Sequence, residues 1–122
     1  MEIPLSELID RMTVLRIKVQ NTENPNVKKE LDLVEEALRN FEMKKGKIDK
    51  NLINNLQIIN QELWDLVAEL SDAKKENKSL EEIGRIYIRQ HIANKKRIQI
   101  KNKIAEESGS GFKDIKVNSN FN

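Results

Sequence analysis

A chain of 122 residues, 38% hydrophobic and 34% charged, has room for one domain with a modest core. It contains no cysteine, which excludes a disulfide framework, a thiolate metal site and a cysteine nucleophile. The formal net charge is only +2, no apolar run approaches the ~18 residues of a membrane span, and no secretory leader opens the chain, so a cytoplasmic protein with no membrane partner is expected.

The first helical pattern covers residues 5–20, with Ser6 as its expected N-cap after Pro4. Leu5, Leu8, Met12, Leu15 and Val19 recur at the three-and-four spacing of one helix face, while Val14 and Ile17 fall roughly opposite. A helix apolar on two sides must be covered on two sides. It is either the central helix of the monomer or a helix whose second face meets another copy. In the break NTENPN, Asn24 caps a second helix and Pro25 suits its first turn. Val27, Leu31, Val34, Leu38 and Phe41 form its one apolar stripe, and Lys44, Lys45 and Gly46 end it.

The third helix runs from about Lys50 to Glu76 behind Asp49. Leu52, Leu56, Ile59, Leu63, Leu66, Leu70 and Ala73 alternate spacings of four and three, the pattern of coiled-coil-like packing. The short KKENKS linker predicts that the fourth helix returns antiparallel to the third. Ser79 and Glu82 form a capping box that starts this fourth helix, which reaches Glu106 or Glu107. Residues 1–107 then make the helical domain. Residues 108–122 read as a flexible tail in which Phe112, Ile115 and Val117 are able to dock as a short extended arm. The expected fold is all-α, a four-helix bundle of elongated hairpins, joined into a homo-oligomer through the first and third helices.

The fourth helix carries the distinctive chemistry. Arg85, Arg89, Lys95, Lys96, Arg97, Lys101 and Lys103 lie between Glu82 and Glu106 with no acid among them. At about 100° per residue, Ile86, Ala93, Ile100 and Ile104 form one inward edge, and Ile83, Tyr87, Ile98 and Ala105 the neighbouring one. Gln90, Asn94, Arg97 and Lys101 fall between the two edges, where packing favours apolar groups. Arg97 and Lys101 therefore need partners. Glu62, Asp65 and Glu69 of the third helix are one set, giving a polar layer that sets helix register. A small anionic ligand is the other. Arginine forks phosphate oxygens, lysine adds a point charge, asparagine and glutamine read neighbouring polar groups, and Tyr87 and His91 are spaced to stack or bond beside them.

Asn94-x-x-Arg97-x-x-x-Lys101-x-x-Ile104, followed by Gly109, Ser110 and Lys116, resembles a signature of a small helical family of unknown function. SELIDRMTVLRIK (residues 6–18) and ELWD (residues 62–65) are similar to that family's other two signatures. The family is found in phages and near bacterial sugar-transfer genes. His91 stands where the family has a tyrosine. The resemblance supports the choice of patch and names no ligand.

An enzyme reading starts from Glu62-Leu-Trp-Asp65, whose E-x-x-D form resembles half of the magnesium site of all-α nucleoside triphosphate pyrophosphohydrolases. Asp32-x-x-Glu35 is its nearest upstream counterpart. Nucleophilic catalysis has no support, since there is one histidine and no glycine-flanked serine elbow. Nucleic acid ranks below a small ligand, because the rest of the chain is net acidic and aromatics are few. The expectation is a non-enzymatic homo-oligomeric binder of a small anionic ligand, a nucleotide, with no catalytic residue, no metal and no cofactor. Its ligand set is Tyr87, Gln90, His91, Asn94, Arg97 and Lys101. In a phage, such a protein would suit sequestration of a host nucleotide immune signal. The alternatives are the pyrophosphohydrolase and a structural helical adaptor.

Overall fold

Four amphipathic stretches become four helices in a computed structural model that describes residues 2–107 and 114–116. These are α1 (Leu5–Asn21), α2 (Pro25–Lys45), α3 (Lys50–Lys75) and α4 (Leu80–Glu107). Two three-residue strands, β1 (Glu2–Pro4) and β2 (Asp114–Lys116), flank them. The strands pair antiparallel, with Ile3 opposite Ile115, so the chain beyond α4 returns to the start of α1. Phe112 and Val117, and most of the expected tail, lie outside the described residues.

The helix ends follow local chemistry. The Asn24 side chain accepts a hydrogen bond from the Asn26 N–H, and Asp49 accepts one from Asn51. Ser79 Oγ accepts the Glu82 N–H at 3.1 Å. Gly46 ends α2 at φ +100°, a conformation that L side chains resist, and its N–H returns to the Glu42 carbonyl. Ser6 is not the cap of α1. The helix begins at Leu5, directly after Pro4, with no side-chain cap, because the β1 pairing sets where the strand stops.

α1 lies at the centre, packed on α2, α3 and α4. Leu5, Leu8, Met12 and Leu15 are buried along one side, and Ile9, Asp10, Thr13 and Ile17 along the other. Of the two residues of its second apolar face, Ile17 is buried inside the chain and Val14 is half-buried at the edge of a groove, so α1 serves as the central helix of the chain. Burial of each such leucine or isoleucine contributes about 1.5–3 kcal/mol. Arg11–Glu30 and Arg16–Glu35 ion pairs join α1 to α2. The two arginines are five positions apart, so they sit about 140° apart and grip both flanks of the interface.

α3 and α4 form an antiparallel hairpin, roughly 40 Å long at 1.5 Å per residue. The polar contacts of α1 with it fall on Gln57 and Asn60 of α3 and on Arg97 and Lys101 of α4. α1 therefore crosses near the open end, and the loop end projects. From Gln61 onward in α3, and before Arg97 in α4, only Leu66, Ala73, Ile86 and Ala93 are buried. Arg89 reaches both carboxylate oxygens of Glu69, at 2.9 and 3.1 Å. That register sets Leu66 level with Ala93 and Ala73 level with Ile86. Leu63 and Leu70 stay only partly buried, since two helices cannot enclose a full heptad seam. Tyr87, read as inward, is 48% exposed for the same reason; Ile98, also read as inward, is 47% exposed although α1 meets α4 at the neighbouring Arg97.

Candidate functional site

Arg97 and Lys101 do turn inward, and what they meet is α1. Arg97 Nε donates to Asp10 Oδ1 at 3.0 Å, while its Nη2 bonds Asp10 Oδ2. Lys101 Nζ pairs with Glu7 and lies 3.8 Å from Asp10 Oδ2. Of the partners expected from α3, Glu69 holds Arg89 and Asp65 accepts from Gln61.

Asp10 is the hub of this cluster. Asn60 Nδ2 donates to Asp10 Oδ1 at 2.9 Å and to Thr13 Oγ1 at 2.7 Å. The Thr13 hydroxyl donates to the Asp10 carbonyl at 2.7 Å, and Gln57 Nε2 donates to the Thr13 carbonyl at 3.2 Å. Asp10, Thr13 and Asn60 are all buried. One polar layer thus ties α1 to both helices of the hairpin.

Burial alone would raise the Asp10 pKa, but hydrogen bonds from Arg97 and Asn60 and the charges of Arg97 and Lys101 outweigh it. The carboxyl is held below its ordinary range. The Arg97 guanidinium is raised in turn, chiefly by its bond to Asp10. Asp10 and Glu7 supply two negative charges to the two positive charges of Arg97 and Lys101, so little field remains to attract a free anion.

The six residues expected to bind a ligand do not converge. Asn94 Oδ1 accepts from Arg97 Nη1 at 3.3 Å, and Arg97 shares Asp10 with Lys101. Gln90 is half-buried, His91 is exposed, and Asn94, expected in the inward file, is exposed as well. Tyr87 lies ten residues before Arg97, about 15 Å along the helix, with Lys74 Nζ 5.5 Å from its ring centroid. The groove beside the cluster, about 540 Å³, is lined by Pro4, Glu7, Asp10, Arg11, Lys18 and Glu30 among others, and by none of the six. It opens on the acidic side of the cluster.

The carboxylates of the magnesium reading are also apart. Glu35 pairs with Arg16 and Asp32 with Lys28, and no α-carbon of α2 comes within 8 Å of one in α3. Among the described residues no group of three or more histidines and acids is placed to hold a metal ion. Sequence reasoning missed Asp10, Thr13 and Asn60. The signal was present: Asp10 and Thr13 share the second face of α1 with Ile17, and a polar pair there needs an internal partner.

Comparison of the chain with protein families, characterised proteins and solved structures finds no match. The resemblance to the small helical family rests on its motifs. Among the described residues no helix is long and apolar enough to cross a membrane.

Proposed function

We propose that the protein is a non-catalytic interaction scaffold, in which a locked helical base carries the projecting α3–α4 hairpin to another polypeptide. The observation that carries this reading is the outer face of α4 on the projecting half of the hairpin, where Ile88 and Ile92, about one turn apart, are 61% and 49% exposed. Soluble surfaces bear scattered apolar residues, but two isoleucines side by side on the outer face of a projecting helix point to association. The Asp10 layer serves this role by fixing the hairpin on α1. A photo-reactive residue at position 88 tests it. Adducts with polypeptide are expected there and not at Glu36 of α2, and their absence at position 88 overturns the reading.

A second reading keeps the cluster as a small-anion site, for a nucleotide or phosphate. Its support is that Glu7 is half-exposed, so an anion has room to displace it from Lys101. Thermal stabilisation by inorganic phosphate or a nucleotide, lost in Lys101→Ala, is the expected result; no shift across such a panel removes this reading.

A further inference from the structure

The outer face of α4 has a two-fold pattern. Glu81, Gly84, Ile88, Ile92 and Lys95 fall within an arc of about 80° at 100° per residue, nearly opposite the buried Ile86, Ala93 and Ile104. Counted from Ile88, glutamate lies seven residues before and lysine seven after, glycine four before and isoleucine four after. Set antiparallel to its own copy about Ile88, this face places Glu81 beside the partner's Lys95 at both ends. Gly84 falls opposite the partner's Ile92, small against large, and Ile88 meets its equivalent at the axis. We infer that this face binds a second copy of the chain, with the two α4 helices antiparallel across a two-fold axis.

Each position is open to take part. Ile88 and Ile92 are 61% and 49% exposed. A Cβ at Gly84 would meet nothing within 4 Å, so no packing inside the chain calls for glycine in mid-helix. Glycine there costs about 1 kcal/mol relative to alanine. Opposite a second helix it provides a recess for the isoleucine and lets the axes approach. Glu81 is exposed and, among the described residues, is held by Arg85, one turn along the same helix, at 2.6 Å. Lys95 is exposed on the same face. A parallel pairing would set Glu81 on Glu81 and Lys95 on Lys95, so the charges select the antiparallel one. Sterics agree: α1 meets α4 at Arg97 and Lys101, on the opposite side.

The contact is about 20 Å long and one helix wide, well short of the roughly 800 Å² per partner of standard interfaces. The dimer should be reversible and concentration-dependent. The inference rests on the hairpin as an interaction surface, and it names the partner. Sedimentation of the full chain over a concentration series is the test. Glu81→Lys and Lys95→Glu should each raise Kd at least about tenfold, the double swap should restore it to within about threefold, and Ile88→Glu should leave monomer. These positions are exposed, so unchanged helicity by circular dichroism separates lost contact from lost fold. A monomer at all concentrations, or a dimer indifferent to the swaps, overturns the inference. The photo-reactive residue at position 88 distinguishes the two readings: adducts only with other proteins remove the second copy and keep the scaffold, while no adduct removes both.

Discussion

Arg97, late in α4, grips the carboxylate of Asp10, in the early turns of α1, through two of its nitrogens across 87 positions of sequence. This pair decides how the base of the molecule closes. Asp10 is 5% exposed, so removing its partner leaves a nearly dry negative charge. Arg97→Ala should destabilise the fold by about 3 kcal/mol, read as a shift in urea midpoint. Adding Asp10→Asn should recover part of the loss, since the buried charge, left with Lys101 at 3.8 Å as its cation, goes while Asn60 and Thr13 keep partners. A cost below ~0.5 kcal/mol would mean that the layer is not a lock.

The same pair gives an acid limb to stability. The Asp10 pKa lies below its unfolded value of about 4. Between the two values the unfolded chain binds more protons, so stability rises with pH. The contribution is fully present above pH 4 and is lost as pH falls through the folded pKa. Denaturant titrations from pH 5 downward should show this slope, and Asp10→Asn should flatten it.

Gly46 should resist substitution for a backbone reason. At φ +100° with open space around its Cβ, alanine meets no clash with neighbours, only the strain of the conformation. Gly46→Ala should cost about 1 kcal/mol and lower Tm by several degrees. Gly84→Ala, in ordinary helical backbone, should raise Tm of the monomer.

The two ends of the hairpin should differ in dynamics. Its loop half has four buried residues to hold it, whereas the base half packs on α1. Hydrogen exchange should therefore be faster in residues 63–90 than in 52–60. Leu66→Ala should accelerate it further in the loop half while costing about 2–3 kcal/mol, and Leu56→Ala should instead lower protection throughout.

The four helices were legible because their apolar residues repeat at helical spacing and because Asn24, Gly46, Asp49 and Ser79 punctuate them by local chemistry. Caps and stripes act within a turn or two of chain. The inward position of Arg97 and Lys101 followed from the same periodicity. Their partners did not follow. Glu62 and Glu69 lie on the neighbouring helix and were the nearer choice, yet α1 crosses at the level of Asn60 and Arg97 and brings Asp10 and Glu7 there. Tyr87 was misplaced by the assumption that the inward arc is equally wide along all of α4. It is wide only where a third helix covers it.

Sequence by itself determined the local matters: all-α class, four helices, most of their ends, and the inward turn of Arg97 and Lys101 on α4. Tertiary structure alone decided which acid answers Arg97, that α1 packs on all three other helices, and that half of the α3–α4 hairpin stands uncovered. The division has a physical cause. Helical periodicity and capping depend on residues three or four apart, whereas the partner of a buried charge depends on where a helix from 87 positions away crosses.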